Sequence, residues 1–451
     1  MYFSLRPMKD SPLSLTRNIL RTTAASNDFT TISVPKHTKA PSNLFLDNGG
    51  CTNAPGWSPG NKFKSKRALS TTTTKASTST PTSTSTPIVT EEGQLASSEE
   101  LQAIFRDVFS PLHNEIVHAF GYGSGVFVQQ DNNQESKNNN ATQEQTMLDL
   151  ILVVRDATSF HALNQRENPH HYAPLFRSHP GRAAWWQQHD VFDTPLVRNP
   201  KVFFNFVKDS QYWMKYGIIT AHELQSDLQY WDSLYVGGRM HKPTATIVSS
   251  PSIEQCQQQH NLPAAMAMAL LLLALPSSCL AVQQIPLPSL YSQISGLSYT
   301  GDFRMQMGAE DPGKINKLVN SPGQLERFQS LYQTPVRKLI QDGIVSINSD
   351  TDDNHDKTLL SWNPQDPAVV KYLWQQLPPR FQPLLRLPTT FNTASSADID
   401  LVSGQLSLQR ELHKIVAPAA RYQSFKGIWT AGMSKSGKYA LAKLSKGILR
   451  R

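Results

Sequence analysis

The sequence predicts an α+β protein in which a mixed strand-and-helix region is followed by a helix-rich one. Three observations carry that reading. Near-continuous apolar runs of strand length occur at MLDLILVV (147–154), KVFFNFV (201–207) and KYGIITAHEL (215–224), the last ending in a polar segment. Ahead of them, EELQAIFRDVF (99–109) has helical periodicity, with Leu101, Ile104, Phe105 and Phe109 on one face. Behind them, AAMAMALLLLAL (264–275) reads as a buried helix. It stops before Pro276, well short of the roughly 20 residues that a membrane span requires.

Charge is distributed unevenly over the 451 residues. Residues 1–90 hold 11 Lys/Arg against 3 Asp/Glu, and residues 421–451 hold 8 Lys/Arg and no acid. The stretch between them has 24 basic and 32 acidic residues, so an acidic body carries two basic ends. An acidic body argues against a nucleic-acid groove. The first 90 residues are rich in Ser and Thr, include the low-complexity run STTTTKASTSTPTSTSTP, and lack a secretory apolar core. Basic, hydroxyl-rich and acid-poor composition is that of a mitochondrial transit peptide, here followed by a disordered linker to residue 95. KRALS places Arg67 three residues before a cut after Leu69, with Ser70 as the new N-terminus. Cys51, Cys256 and Cys279 form no CxxC pair and suggest neither a disulfide framework nor a zinc site.

Within the body, AFGYGSGVF (119–127) packs Gly121, Gly123, Ser124 and Gly125 between aromatic and apolar neighbours. Such bare backbone either makes a tight turn or lets a phosphate reach main-chain N–H groups. A polar Asn/Gln-rich insertion, 128–146, follows and reads as a loop. The next strand contains one carboxylate, Asp149, which is costly in an apolar run unless it is paired, binds a metal or faces an exposed end. A Gly-Ser loop followed by an acid on a strand is the layout of nucleotidyltransferases, in which the loop holds nucleotide phosphates and the acid holds magnesium. The second acid usual at a two-residue spacing is missing, since Met147 and Ile151 stand there.

Two other patterns are set aside. GMSKSGK (432–438) fits G-x-x-x-x-G-K, but Tyr439 replaces the required Ser/Thr and too little chain follows to build a nucleotide-binding sheet. His161, His170, His171, His179 and His189 lack the spacing of a zinc motif. The adjacent pair His170-His171 is expected to point apart on a strand, as packing or loop residues.

Seven stretches together resemble the mitochondrial phosphatidate cytidylyltransferase family, also called translocator assembly and maintenance proteins. They are FGYGSGVF (120–127), MLDLILVV (147–154), NPHHYA (168–173), KYGII (215–219), LYVGGRMHKP (234–243), GLSYTGDFRM (296–305) and KGIWTAGMSKSGKYALAKL (426–444). They occur in family order and cover most of 100–451. The insertion 128–146 and loops near 187 and 350 depart from the family's compact form without interrupting a motif.

The resemblance implies a nucleotidyltransferase-like domain over 96–245 and a helix-rich, winged-helix-like domain over 246–420, with the active site between them. It implies transfer of CMP from CTP to phosphatidic acid, giving CDP-diacylglycerol for phosphatidylglycerol and cardiolipin synthesis on the matrix side of the mitochondrial inner membrane. The lipid phosphate is already a nucleophile, so the site needs cations and N–H donors rather than an attacking Ser or Cys. Gly123, Ser124 and Gly125 are then the phosphate cradle, and Asp149 the magnesium ligand. Lys215, Arg239 and Lys242 are the candidate cations, although each alone reads equally as a surface ion pair. Tyr216, Tyr235 and His241 are candidates to shape the nucleotide pocket. Asp302 and Arg304 either contact phosphate or close a turn after Gly301. Residues 421–451 form a basic tail in which Leu441, Leu444 and Ile448 share one helical face and Lys443, Lys446 and Arg450 another. That pattern suits a helix lying on an anionic membrane surface, or one docked on the acidic body. The family's older name raises a competing function, a non-enzymatic assembly factor for protein import.

Overall fold

A computed structural model describes residues 98–127, 147–191, 194, 196–208, 213–275, 282–306, 313–348, 358–384 and 401–431. The transit peptide, the insertion 128–146, nearly all of the polar loop 349–358, and Leu441, Lys443, Leu444, Lys446, Ile448 and Arg450 of the tail lie outside these residues. In chain order, the first elements are α1 (Ser98–Phe109), β1 (Ile116–Tyr122), β2 (Leu148–Val154) and α2 (Ala157–Glu167). There follow α3 (Pro174–Arg177), α4 (Pro180–Gln188), β3 (Phe203–Lys208), β4 (Trp213–Thr220), α5 (Ala221–Tyr230) and β5 (Ala245–Val248). Next come α6 (Pro251–Cys256), a π-helical turn (Gln257–Asn261), α7 (Leu262–Leu273), β6 (Gln283–Pro286), α8 (Leu287–Leu297) and α9 (Phe303–Gln306). The last are α10 (Lys314–Asn320), α11 (Gln324–Gln341), β7 (Val345–Asn348), β8 (Leu359–Trp362), α12 (Pro367–Gln375) and α13 (Leu401–Ala431).

The first five strands form one mixed sheet in the order β3-β4-β2-β1-β5. β2 and β4 run parallel, and the other neighbours are antiparallel. Successive side chains alternate between its faces. On one face Leu148, Leu150, Leu152, Tyr216 and Ile218 pack with Leu101 and Phe105 of α1 and Phe160 of α2. On the other, Phe120, Ile151, Val153, Phe204 and Ile219 pack with Leu224 and Leu228 of α5 and Ile253 of α6. Being covered on both sides explains why β2 reads as an unbroken apolar run. The strand expected over 215–224 ends at Thr220. There the Thr220 hydroxyl accepts from the Glu223 amide at 3.3 Å and donates to the Glu223 carboxylate at 2.7 Å, so Thr220 is the N-cap that starts α5.

A separate core gathers α7, α8, α11, α12 and the first half of α13. Helix α7 is buried as expected and ends at Leu273. The helix-rich region also contains a three-stranded antiparallel sheet, β6-β8-β7, that the sequence reading lacks. Its strands, QQIP, LLSW and VSIN, are four residues each, too short to show a period. Position 187, anticipated near a loop, lies in α4. Helix α13 runs through position 421, where the basic tail was expected to begin. Its start is held by Gln405, whose Nε2 donates to the carbonyls of Leu271 and Ala274 at 2.9 and 2.7 Å. Its end packs against β3, with Tyr422 bonded to the His189 carbonyl at 3.2 Å and Lys426 to Asn199 at 3.4 Å.

The pair His170-His171 is not on a strand. Both residues lie in a 3-10 helix, Pro169–His171, with their rings 4.4 Å apart. His171, His161 and Tyr216 belong to a buried polar network. The Tyr216 hydroxyl accepts from Asn164 and Asn205 at 2.9 and 3.0 Å, so its proton goes to His171 Nδ1 at 2.8 Å. Asn164 spends its other N–H on Tyr172. Gln187 Oε1 is an acceptor, so His161 Nε2 carries a proton and Nδ1 accepts from the Tyr172 hydroxyl. Burial pushes His161 down to about 4.

That shift has a direction in pH. A histidine that takes up a proton less readily folded than unfolded withdraws stability as pH falls below its unfolded pKa of about 6.5. By pH 5 the cost from His161 is about 2 kcal/mol. Urea unfolding at pH 7 and pH 5 is expected to show this loss, and His161→Gln is expected to shrink it relative to the parent chain.

Candidate active site

The glycine stretch sits where β1 leaves the sheet. Its turn is closed by the Val126 and Phe127 amides, which donate to the Gly123 carbonyl at 3.1 and 3.0 Å. Gly123 has φ of 79°, a left-handed conformation open to glycine at little cost. A Cβ built there lies 3.7 Å from Asp149 Oδ2, so the turn rests beside that carboxylate. Gly125 serves packing: a Cβ on it would fall 2.1 Å from the Met147 carbonyl oxygen. Ser124 is exposed at the tip.

Sheet register then lines up the first polar row. Tyr122 pairs with Asp149, Asp149 with Lys215, and Lys215 with Phe206. Because side chains alternate, all four share the face covered farther along by α5 and α6. Lys215 Nζ lies 3.7 Å from Asp149 Oδ1 and 4.5 Å from the centroid of the Phe204 ring. Burial works against the Lys215 ammonium, but Tyr122, Asp149 and Tyr235 outweigh it and raise its pKa.

The second group of candidates rides on the segment after α5, and one carboxylate shapes it. Asp227 is buried, 4% exposed. Its Oδ1 accepts from the amides of Ser233 and Leu234 and from the Ser233 hydroxyl, at 2.8 to 3.0 Å. Its Oδ2 accepts from the amides of Val236 and Gly237 at 3.2 and 2.9 Å. The chain is thereby curled back over α5, with Trp231 and Leu234 in left-handed conformations. This curl turns Arg239 toward the sheet. Its guanidinium stacks on Tyr235 at 4.1 Å and Tyr122 at 5.3 Å, and it also donates to the Tyr235 carbonyl. Tyr235 reports the company it keeps. Burial would raise its phenol, yet Arg239, Lys215 and Arg304 overcome that and lower it.

Lys242 reaches the helix-rich region, donating to the Ser298 hydroxyl at 2.8 Å and lying 4.7 Å from the Tyr299 ring. Burial, together with Arg239 and Lys314, pushes its ammonium well below the ordinary value. The two motifs LYVGGRMHKP and GLSYTGDFRM are thus in contact. Asp302 and Arg304 form a bidentate pair, with Arg304 Nη2 at 2.6 Å from Asp302 Oδ2. Asp302 Oδ1 also accepts the Arg304 amide at 3.0 Å, which starts α9 after Gly301. Asp302 is therefore spent on that turn, while Arg304 acts on Tyr235.

The structure brings together Gly123, Ser124, Gly125, Asp149, Lys215, Tyr235, Arg239, Lys242 and Arg304. It separates two others. Tyr216 follows Lys215 in an extended strand, so its ring lies on the opposite face, in the buried network with Asn164 and His171. His241 is fully buried under the loop, donating from Nε2 to Asn261 Oδ1 at 2.9 Å. That oxygen also accepts from the Trp231 indole N–H, so His241 must donate and is a strut rather than a pocket wall. Asp227 is the residue that sequence reasoning missed. HELQSDLQY reads as an ordinary amphipathic helix, and nothing local marks its aspartate as a loop organiser.

Among the described residues no cluster of three His, Cys, Asp or Glu side chains stands ready for a metal. The donor set at Asp149, one partly exposed carboxylate next to a glycine turn, fits a magnesium ion held mainly by substrate phosphates and water. It does not fit a metal held by protein ligands alone.

Residues 105–446 match the family described as phosphatidate cytidylyltransferase, mitochondrial. A Drosophila melanogaster protein of that name is 31% identical over 346 residues, 73% of this chain and 94% of its own length. A Schizosaccharomyces pombe protein of that name is 29% identical over 80% of this chain and 87% of its own length. One from Mus musculus is 29% identical over 76% and 93%.

Two substitutions test the geometry. Asp227→Asn replaces an acceptor oxygen by an N–H₂ group facing at least two donors, and is expected to cost about 3 kcal/mol or more in urea unfolding. Gly125→Ala drives a methyl into backbone and is expected to cost about 3 kcal/mol. Gly181→Ala, on α4 with nothing within 4 Å of the added methyl, is the control and should gain roughly 0.5–1 kcal/mol.

Proposed function

The chain belongs to the mitochondrial phosphatidate cytidylyltransferase family, and we propose that it transfers CMP from CTP to phosphatidic acid. The observation that carries this reading is the meeting of Asp149, the Gly123 turn and the cations Lys215 and Arg239 at one end of the sheet. In the reaction a phosphate oxygen of phosphatidic acid attacks the α-phosphorus of CTP. A new P–O bond forms, the bond from the α-phosphorus to the bridging oxygen breaks, and pyrophosphate leaves. Two anions must approach each other, so the protein's task is to hold them and spread the charge. Main-chain N–H groups of 123–125 hold phosphate. Lys215 and Arg239 face the charge that builds up at the α-phosphorus, and Tyr235 fixes Arg239 by stacking. Lys242, held below its ordinary pKa by burial and by the neighbouring Arg239 and Lys314, gains an anionic partner when a phosphate binds. Asp149 is the residue that would hold magnesium, which when bound neutralises triphosphate charge.

The same reading assigns a nucleotidyltransferase-like domain to 96–245 and a winged-helix-like one to 246–420. It places the protein in mitochondria, peripheral to the matrix face of the inner membrane, feeding phosphatidylglycerol and cardiolipin synthesis. No helix among the described residues is long and apolar enough to cross a membrane. The basic tail supplies the membrane contact in this reading.

The test is direct. Purified protein is incubated with labelled CTP, phosphatidic acid vesicles and magnesium, and label is expected in the lipid phase. Without magnesium the product should vanish. Asp149→Asn is nearly isosteric and should melt close to the parent while losing several kcal/mol of barrier lowering, a drop in kcat of about 10²-fold or more. A mutant with near-normal turnover would remove Asp149 from the chemistry. Absence of lipid product from the parent chain would favour the assembly-factor function.

A further inference from the structure

The glycine turn has an aromatic residue at each end, and each carries an arginine. Tyr122 precedes the turn and holds Arg239, as described. Phe127 follows it, and the guanidinium of Arg327 lies over its ring, 4.9 Å from the centroid. The two rings belong to cores on opposite faces of the sheet, Tyr122 with the α5 side and Phe127 with the α1 side. The arginines thus reach the turn from two sides. They also come from distant parts of the chain, Arg239 from the loop after α5 and Arg327 from the first turn of α11.

Arg327 is held in place with donor capacity to spare. Its Nη1 is buried and has no hydrogen-bond partner, and so is Arg239 Nε. Three residues earlier on the same face of α11, Gln324 is 4% exposed, and its Nε2 is likewise buried and unpartnered. A buried N–H left without an acceptor is destabilising, the more so on a charged group. Buried donors without a protein acceptor call for one from outside the chain, a water or a ligand. The guanidinium fork suits a phosphate oxygen pair, and stacking on an aromatic ring fixes its plane beforehand.

We infer that Arg327, assisted by Gln324, is a binding residue for the β- and γ-phosphates of the nucleoside triphosphate, and so for the departing pyrophosphate. This rests on the cytidylyltransferase reading above. The phosphates, rather than the phosphatidic acid headgroup, are the assigned occupant because Arg327 is anchored on Phe127, whose own amide helps to close the turn. Arg327 then clamps the leaving group while Arg239 and Lys215 face the reacting phosphorus. It also makes the triphosphate a bridge between the sheet and α11.

The test separates binding from turnover. Isothermal titration of CTP and of pyrophosphate against the full chain, with magnesium present, needs no catalysis. Arg327→Gln is expected to weaken both by tenfold or more, and Arg327→Lys, which keeps charge but loses the fork, by a smaller factor. In steady state the KM for CTP and the inhibition constant of pyrophosphate should rise together in Arg327→Gln, with the KM for phosphatidic acid unchanged. Unaltered affinity for CTP and pyrophosphate in Arg327→Gln overturns the inference. So does an effect confined to phosphatidic acid, or a fall in melting temperature with Arg327→Lys no better than Arg327→Gln in binding. If the parent chain makes no lipid product, the cytidylyltransferase reading fails, and the titrations still decide whether Arg327 binds polyphosphate.

Discussion

One buried carboxylate holds the site's geometry together. Asp227 gathers four backbone amides and a hydroxyl onto two oxygens, all from the ten residues that follow α5. An ionised carboxylate is costly to bury, and five donors are what make the burial tolerable. In return the loop has a single shape. Tyr235, Arg239 and Lys242 project from it toward three different neighbours: Phe204 beside Lys215, Tyr122 beside the glycine turn, and the Ser298–Tyr299 corner. None of these three side chains could find its place from the sheet alone, because the sheet ends at Thr220 and resumes only at Ala245.

The electrostatics of the site follow from that shape. Asp149 is met by Lys215, while Arg239, Lys242 and Arg304 stand close by, so cations outnumber the one carboxylate that is not already spent on a turn. Two shifts follow from the imbalance. The Tyr235 phenol is lowered despite burial, and the Lys242 ammonium is lowered by burial with Arg239 and Lys314 adding to it. Both responses are those of a place that gains from an added anion. This happens within a body that is acidic as a whole. The excess of positive charge is therefore local to this corner of the molecule.

The glycine stretch turns out to serve two ends at once. Gly125 is required by packing against the Met147 carbonyl, and Gly123 by its left-handed backbone next to Asp149. The tight-turn reading holds, and it leaves the turn beside Asp149, where the phosphate reading needs it. The turn brings the backbone at Gly123 beside the carboxylate, and Gly125 packs closely on the Met147 backbone.

Much of this was legible in the amino-acid order. The α+β class, the buried strand at 147–154, the apolar helix at 264–275 and the pairing of a glycine turn with Asp149 all rest on local patterns of period and composition, which a linear sequence displays. The same holds for Lys215, Arg239 and Lys242, named through motif resemblance. What the sequence could not display are properties set by partners that no local pattern pairs. Tyr216 and His241 were expected in the pocket, but the alternation of β4 sends one ring to the opposite face, and Asn261 draws the other beneath the loop. Asp227 looks like any helical acid until five donors converge on it, and Arg327 acquires its place only when α11 crosses Phe127. The small sheet β6-β8-β7 stayed hidden because four-residue strands have no period to read. Local order decides which elements form. Contacts that no local pattern pairs, from the 6 to 10 residues between Asp227 and its donors to the 200 between Phe127 and Arg327, decide which of their residues face one another.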